Sequence, residues 1–468
     1  MADFDLVILG GGTGGYPAAI RATQLGMKVA LIERDKLGGT CLHRGCIPTK
    51  AFLESAEVLH LAGRSAEYGV TTGSPALDYG VVFQRKNRVV DQLHRGVEGL
   101  MRRNKIEVIR GEGTISGRGR ITVNGEGPAR EVTWDHLIIA TGSRPRGLPG
   151  VEFDGQRVIN SDHITMELKR VPRSLVIIGG GAVGVEFASM YRDFGAEVTL
   201  VELLPALVPL EDREVGEALQ RSFVRRGITV KTGVGVKPET VQVSDAGVAL
   251  EVGGEGATER LSAEALIIAV GRGGVVEGIG LEQLPGVRQE RGLIQVDEVM
   301  QTGEPKVYAI GDVVGGYALA HKAWSEGVVA VEHIAGLRQR GLDYRRVPRC
   351  TYSRPQIGSM GLSEQEARQQ GYSVKVGKFP FQANGRALIL GESEGFAKIV
   401  ADAGSGEILG VHIIGPHATE LIPEAVMARY LEATPLEIGT AVHAHPTLSE
   451  ALAEAALSLE GRPMHIAH

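Results

Sequence analysis

The length, composition and charge of this chain already exclude several protein classes. It has 468 residues, of which 43% are hydrophobic, and a formal net charge of −6 at pH 7. The length suffices for about three domains of ~150 residues each. The acidic balance gives no electrostatic reason to expect nucleic-acid binding.

Cysteine usage and the chain start bear on the cellular compartment. Three cysteines in 468 residues are too few for a secreted fold built on disulfides. No apolar run reaches the ~18 residues that a transmembrane helix needs. Residues 1–5 carry two aspartates and lead directly into a predicted strand, which is not typical of a signal peptide. We therefore expect a cytoplasmic protein that does not associate with membranes.

The first predicted unit is a dinucleotide-binding fold. Its parts in order are the apolar strand 6–9, the glycine loop 10–15, the helix 16–25, the apolar strand 28–32 and Glu33. In such a unit Gly10 makes the turn, Gly12 lets a pyrophosphate approach the backbone, and Gly15 lets the helix pack on the strand. Glu33 is placed to bind a ribose diol. The complete order of parts is much more specific than a lone glycine motif.

The same unit recurs in the second part of the chain. Its parts are the strand 174–178, the glycine loop 179–184, a helix to about residue 194, the strand 197–201 and Glu202. Each acid follows the first glycine of its loop by 23 positions, and the two units are offset by 169 residues. Two such units predict that two nucleotides meet. Glu202 favours NAD, because a carboxylate accepts hydrogen bonds from a free 2′-hydroxyl and repels a 2′-phosphate.

Further elements are predicted between and after these units. A long helix is expected over about residues 78–104. The apolar strand 136–140 runs into Thr141, Gly142 and Ser143, and residues 265–272 repeat that arrangement in the second unit. The apolar strand 306–310 ends in Gly311 and Asp312. This places a carboxylate at the sheet edge where ligands bind, although an ordinary turn aspartate is an equal alternative.

The last part of the chain has a different character. Residues 350–468 contain alternating patterns typical of strands at 395–400 and 408–414, and helical stretches at 418–433 and 448–457. No glycine-rich phosphate loop occurs there. An antiparallel sheet with helices is therefore predicted, in a separate domain that buries one face against a partner.

Cys41 and Cys46 form the most informative pair of residues. In a continuous helix they would be roughly 7.5 Å apart along the axis, outside the Cα separation of about 4.4–6.8 Å that a disulfide tolerates. A bridge therefore needs bent backbone, for which Gly45 gives the freedom. Two buried, reduced thiols are the alternative. A metal site would need two more Cys or His ligands, and His43 alone does not complete the set.

Taken together, these segments resemble the pyridine nucleotide-disulfide oxidoreductases over essentially the whole chain. Within that family the match is to the branch that oxidises protein-bound dihydrolipoamide with NAD. The resemblance implies an α/β fold with two Rossmann-like dinucleotide-binding domains and a C-terminal α+β dimerisation domain. The predicted domains are FAD-binding (1–148), NAD-binding (149–272), a central domain completing the FAD unit (273–346) and a dimer-interface domain (347–468).

The resemblance also implies cofactors and the residues that bind them. FAD would be held by Gly10, Gly12, Gly15, Glu33, Lys50, Thr141, Gly142, Ser143 and Asp312. NAD would be held by Gly179, Gly181, Gly184, Glu186, Glu202 and Gly271, with Glu186 also paired to Lys50. Gly113 and Ala320 complete the cofactor-binding set. No metal is expected.

The catalytic roles follow from the same resemblance. Cys41 and Cys46 would form a redox-active disulfide in which Cys41 exchanges with substrate and Cys46 forms the thiolate beside the flavin. His445, oriented by Glu450, would be the acid-base for the disulfide of the other subunit of a homodimer. The partners would be the lipoyl domain and the peripheral subunit-binding domain of a 2-oxo acid dehydrogenase acyltransferase.

Several alternatives remain open on the residues alone. His443 is as good a base as His445 on chemistry, since both are imidazoles that titrate in the right range. The chain departs from the common family pattern at His43-Arg44 and at Gln356. A reductase of a small-molecule disulfide, a flavin-holding scaffold and a thiol-independent transhydrogenase are the competing functions.

Overall fold

The computed structural model describes residues 2–254, 257–337 and 340–466. Met1 of the predicted N-terminal segment and residues 467–468 of the predicted last domain lie outside that range. The elements of the first part are β1 (Phe4–Leu9), α1 (Gly15–Gln24), β2 (Val29–Glu33), α2 (Gly39–His43), α3 (Cys46–Gly63), α4 (Tyr79–Arg103), β3 (Glu107–Arg110), β4 (Glu112–Gly117), β5 (Arg120–Asn124), β6 (Arg130–Ile139) and β7 (Ser143–Pro145).

The first sheet is built around β1, with strand order β3-β2-β1-β6-β5-β4. β1 is parallel to β2 and β6, and its apolar residues Leu6, Val7 and Ile8 are fully buried. A strand of this kind, covered on both faces, reads as a continuous hydrophobic run. The predicted long helix is confirmed as α4, where the Asp78 carboxylate accepts a hydrogen bond from the Val81 N–H at 3.0 Å.

The second part repeats the parallel arrangement and adds an antiparallel sheet. Its elements are β8 (Val158–Ile159), α5 (Ser161–Met166), β9 (Ser174–Ile178), α6 (Ala182–Asp193), β10 (Glu197–Glu202), α7 (Arg213–Arg225), β11 (Thr229–Thr232), β12 (Gly235–Ser244), β13 (Gly247–Gly254), β14 (Ala257–Ala263), β15 (Ala265–Ile268) and β16 (Arg272–Gly274). The parallel order is β11-β10-β9-β15-β8, and β12-β13-β14 form the antiparallel sheet. β16 pairs with β7, so the two connecting segments run side by side.

The third part returns to the first sheet. Its elements are β17 (Gln289–Glu290), β18 (Leu293–Ile294), β19 (Val307–Ala309) and α8 (Ala320–Ile334). β19 lies parallel to β6, with Ala309 opposite Ile139. The carboxyl ends of β1, β6 and β19 therefore meet at one edge. Asp312 follows β19 in a short 3₁₀ helix, Gly311–Val314.

The fourth part is the predicted antiparallel sheet, which is confirmed. Its elements are β20 (Arg349–Thr351), β21 (Gln356–Gly361), α9 (Glu364–Gln369), β22 (Val374–Pro380), α10 (Gly385–Ile389), β23 (Phe396–Asp402), β24 (Ile408–Gly415), α11 (Ala418–Tyr430), α12 (Pro435–Thr440) and α13 (Glu450–Leu459). The strand order is β20-β21-β24-β23-β22, antiparallel throughout. The last predicted helix begins two residues later than expected. Met427, Tyr430 and Leu431 leave an exposed apolar surface on and just after α11.

The mixed α/β architecture agrees with the predicted fold class. Among the described residues, none of the helices combines the length and the apolar character needed to cross a membrane.

Candidate active site

The two cysteines lie on either side of a bend between α2 and α3. α2 ends at His43, and α3 begins at Cys46. The N–H groups of Arg44 and Gly45 both donate to the Thr40 carbonyl, at 2.8 and 2.7 Å. The bend brings the thiols of Cys41 and Cys46 into a hydrogen bond with each other. Both are free thiols here, which is the arrangement of a reduced dithiol, and the redox-active disulfide remains a prediction.

The environment of Cys46 favours its thiolate. The hydrogen bond from Cys41 lowers the pKa of Cys46 to about 7, helped by the Lys50 cation and opposed by burial. Cys46 is also the first residue of an 18-residue helix, where the helix dipole stabilises negative charge. The pKa of Cys41 is raised, first by its hydrogen bond to Cys46 and then by burial. Cys46 is therefore the anion and Cys41 the proton donor.

Lys50 joins this dithiol to the second nucleotide unit. Its Nζ donates to both carboxylate oxygens of Glu186 at 2.8 and 2.7 Å, and it lies 4.7 Å from the ring centroid of Tyr352. Burial lowers the pKa of Lys50, but Glu186 and Cys46 raise it overall. Glu186 also accepts the Tyr352 N–H at 2.9 Å. Sequence reasoning missed Tyr352, because no local motif marks a residue that contributes its backbone.

The first glycine loop fits a dinucleotide pyrophosphate. A Cβ on Gly15 would lie 1.9 Å from the Gly10 carbonyl oxygen, whereas a Cβ on Gly12 would meet only the Gly39 Cα, at 3.9 Å. The loop thus has no room for a side chain at Gly15, where the helix packs, but has space at Gly12 for a ligand. The Glu33 carboxylate accepts the N–H groups of Gly11 and Asp35 at 2.7 and 2.8 Å, which fixes it at the end of β2.

The second glycine loop has the same geometry. A Cβ on Gly184 would lie 1.8 Å from the Gly179 carbonyl oxygen, and Gly181 faces open space. Glu202 accepts the N–H groups of Gly180 and Leu204 at 2.6 and 2.7 Å. Both loops are therefore built to receive a nucleotide. Gly271, with φ of +107°, is exposed on the connection after β15.

Asp312 and the segment after β6 lie together at the edge of the first sheet. The Ser143 hydroxyl donates to Asp312 and accepts from the Arg272 Nε at 2.7 Å. The Thr141 hydroxyl donates to the Val275 carbonyl at 2.6 Å, and the adjacent Gly142 has φ of +72°.

The other two predicted cofactor-binding residues, Gly113 and Ala320, differ in burial and in the elements that carry them. Gly113 is buried, and a Cβ there would lie 2.6 Å from the Leu9 Cδ1, so this glycine lets β4 approach β1. Ala320 begins α8 and is half-buried.

His443 and His445 differ in how many of their ring nitrogens are hydrogen-bonded. His445 Nδ1 lies 2.9 Å from a Glu450 carboxylate oxygen, and its side chain is 78% exposed. Because a carboxylate only accepts, Nδ1 must carry the proton, which leaves Nε2 as the basic nitrogen. His443 has both ring nitrogens bonded, to the Ala441 carbonyl at 2.9 Å and to Glu424 at 2.7 Å. The geometry therefore distinguishes His445 from His443 as a proton acceptor.

Hydrogen bonds fix the Glu450 carboxylate and favour its charged form. Burial raises the pKa of its carboxyl, but hydrogen bonds from the Thr447 N–H and from His445 lower it overall. Among the described residues, no hydrogen bond or ion pair links segment 443–450 to segment 41–50.

The positions that depart from the common pattern are structurally satisfied. His43 is buried, its Nε2 lies 2.9 Å from the Leu37 carbonyl, and His94 Nδ1 lies 3.0 Å from the same oxygen. Burial lowers the pKa of His43. Gln356 accepts a hydrogen bond from the Thr419 hydroxyl at 2.8 Å.

Comparison with known proteins decides the family. Residues 4–327 match the model described as pyridine nucleotide-disulphide oxidoreductase, and residues 347–456 match the dimerisation domain of the same group. The chain belongs to the pyridine nucleotide-disulphide oxidoreductases. Members of this family are flavoenzymes, so the chain is an oxidoreductase that uses FAD and NAD, as the sequence predicted. The second match supports a homodimer.

The relatives and solved structures cover nearly the whole chain. Dihydrolipoyl dehydrogenase of Bacillus subtilis (strain 168) is 48% identical over 99% of both chains. That of Zymomonas mobilis is 46% identical over 99% of this chain and 100% of the other. The crystal structure of LpdA from Mycobacterium tuberculosis has a TM-score of 0.89 at 27% identity, covering 97% of this chain and 99% of that one. The Cu(II) complex of the flavoprotein disulfide reductase RclA from Escherichia coli has a TM-score of 0.85 at 27% identity, with the same coverage.

Proposed function

We propose that this protein is a dihydrolipoyl dehydrogenase, which oxidises dihydrolipoamide carried on a partner protein and reduces NAD⁺. One observation carries the proposal: a Cys41–Cys46 dithiol with a stabilised Cys46 thiolate lies beside the Lys50–Glu186 pair. The identity of 48% to a dihydrolipoyl dehydrogenase over nearly the full length supports this substrate.

The thiol chemistry assigns a step to each cysteine. In the oxidised enzyme, a substrate thiolate attacks Cys41, which breaks the Cys41–Cys46 bond and releases Cys46 as a thiolate. The second substrate sulfur then attacks the mixed disulfide, so lipoamide leaves with its ring closed and Cys41 takes up a proton. Two electrons have passed from the substrate to the cysteine pair. His445 Nε2 accepts the proton that the attacking thiol loses.

The remaining residues hold the cofactors and stabilise charge. Bound FAD supplies the two-electron relay between the dithiol and NAD. Glu33 and the first glycine loop would hold its adenosine and pyrophosphate, while Lys50 would keep the Cys46 thiolate stable beside it. Glu202 would bind the ribose of NAD and disfavour a 2′-phosphate.

Oligomeric state and partners belong to the same proposal. His445 and the dithiol do not bond to each other within one chain, which supports a homodimer in which each His445 serves the partner's dithiol. The lipoyl domain would bring the substrate, and the peripheral subunit-binding domain of an acyltransferase would dock the dimer. We place this reaction in the cytoplasm.

Steady-state oxidation of dihydrolipoamide with NAD⁺ tests this function. The wild-type protein should turn over, and Cys46→Ser should lose turnover while keeping its yellow colour. Cys350→Ser is the matched control, because that thiol is half-buried and its burial raises the pKa to about 12. Full turnover by Cys46→Ser, or none by the wild type, would refute the proposal.

A disulfide reductase is the second candidate. The structural similarity to RclA, a flavoprotein disulfide reductase of Escherichia coli, favours it. NADH oxidation driven by glutathione or coenzyme A disulfides would measure this activity. A faster rate with these disulfides than with lipoamide would make the reductase the main function.

A further inference from the structure

His443 has no role in the proposed reaction, yet it has the most enclosed position in its segment. Residues 441–446 form neither helix nor strand, and Ala441, Val442, Ala444, His445 and Pro446 are all exposed. The His443 side chain alone is enclosed, at 10% exposure. The exposed His445 therefore belongs to a segment in which His443 is the side chain that packs against the rest of the protein.

The bonding of His443 is unusual for an imidazole. Its Nδ1 meets the Ala441 carbonyl at 2.9 Å, and its Nε2 meets the Glu424 carboxylate at 2.7 Å. Both partner oxygens are acceptors, so each ring nitrogen lies where it can donate a hydrogen bond. A charge-assisted bond to a carboxylate is about twice as strong as a neutral one. His443 thus links the backbone of its own segment to α11.

The next residues add a second attachment on the other side of His445. The Thr447 hydroxyl donates to the Ala444 carbonyl at 2.7 Å, and the Asn384 amide donates to the Thr447 carbonyl at 3.0 Å. His445 therefore lies between two fixed points, His443 and Thr447. Removing the first would release residues 441–443 from α11 and leave His445 held by the Ala444–Thr447 and His445–Glu450 bonds.

We propose that His443 and Glu424 are positioning residues that aim His445 at the substrate thiol. This inference rests on the proposed function, because the proton transfer it serves is that of dithiol oxidation. A misplacement of about 1 Å in a reacting group can lower a rate about 10²-fold. His443→Ala, which removes both bonds, should therefore slow dihydrolipoamide oxidation between roughly tenfold and 100-fold, with FAD content and dimer formation unchanged.

Two variants separate the bonds of the ring. His443→Asn keeps a donor near the Nδ1 position, toward Ala441, and His443→Gln keeps one near the Nε2 position, toward Glu424. Glu424→Gln keeps an acceptor but removes the charge. His136→Gln is the matched control, since His136 also pairs with a carboxylate, Asp135, at 3.5 Å but lies on β6, outside the segment. It should retain wild-type rates.

Three measurements test the inference. First, NADH-driven reduction of ferricyanide, which bypasses thiol exchange, should be unchanged in His443→Ala. Second, His443→Ala should cause no further loss in a His445→Gln background, because a residue that acts through another is not additive with it. Third, the ¹⁵N spectrum of histidine-labelled protein should show a proton on the His443 Nε2, which faces the Glu424 carboxylate.

The outcomes distinguish this inference from the proposed function. If the wild type does not oxidise dihydrolipoamide, the proposed function is wrong. The ¹⁵N spectrum still tests the His443–Glu424 link in that case. Equal slowing of both reactions, additive losses with His445→Gln, unchanged dihydrolipoamide rates or a His443 Nε2 without a proton would each overturn the positioning role.

Discussion

The Lys50–Glu186 pair sets the charge around Cys46, and removing its members one at a time should move the Cys46 pKa in opposite directions. Lys50 follows Cys46 by one helical turn in α3, a rise of about 6 Å. For a charge separation of about 6 Å and an effective dielectric of ~20, a cation stabilises a thiolate by on the order of 3 kcal/mol. Since one pKa unit is about 1.4 kcal/mol, the Lys50 contribution is about two units. Glu186 opposes it.

The pair thus predicts how the Cys46 pKa ranks among four proteins: the wild type, two single variants and the double variant. From a Cys46 pKa of about 7, Lys50→Met should raise the value by about one to two units. Glu186→Gln should lower it, because the opposing carboxylate is gone while the cation remains. The double variant should lie between the wild type and Lys50→Met, since Lys50 has the larger effect of the two.

Alkylation of reduced Cys46 by iodoacetamide, followed against pH by peptide mass spectrometry, measures these values. Lys375→Met is the control, because Lys375 is exposed on β22 and should leave the Cys46 profile unchanged. A Lys50→Met profile that matches the wild type, or a Glu186→Gln profile displaced to higher pH, would refute the electrostatic reasoning.

Three other perturbations have expected outcomes. Glu450→Gln removes the carboxylate that fixes the His445 tautomer, so dihydrolipoamide oxidation should fall by about 10²-fold or more while ferricyanide reduction by NADH persists; loss of both rates would contradict this. Gly184→Ala places a methyl group 1.8 Å from the Gly179 carbonyl oxygen, so tight NAD binding by calorimetry should be lost with flavin retained, and unchanged affinity would contradict the loop geometry. Glu202→Ser should lower the ratio of kcat/KM for NAD to that for NADP by about tenfold or more, roughly the ~1–3 kcal/mol of lost charged hydrogen bonds; a constant ratio would show that specificity lies elsewhere.

Local patterns allowed much of the fold to be predicted. Each glycine loop, its strand and its acid lie within about 30 residues, so their order along the chain fixes their geometry. The helix 78–104 carried its own N-cap at Asp78. The antiparallel sheet after residue 347 followed from alternation alone. These features depend on short-range sequence signals.

Contacts between distant segments could not be predicted from patterns. The Lys50–Glu186 pair, 136 positions apart, could be predicted only from the family resemblance, and the structure confirms it. The bond between Glu186 and the Tyr352 N–H, 166 positions apart, could not be predicted, because any residue could provide that N–H. The choice between His443 and His445 also depended on tertiary structure, since Glu424 lies on another helix. The four domain limits and the assigned roles of the cofactor-binding residues remain predictions.

Anaerobic titration of the purified protein with dihydrolipoamide tests the central claim most directly. With the visible spectrum recorded at each addition, two electrons per FAD should produce a long-wavelength band, because the Cys46 thiolate then lies beside the flavin. Cys41→Ser should block formation of this band by dihydrolipoamide. A colourless protein, or a flavin that dihydrolipoamide leaves unchanged, would contradict the account.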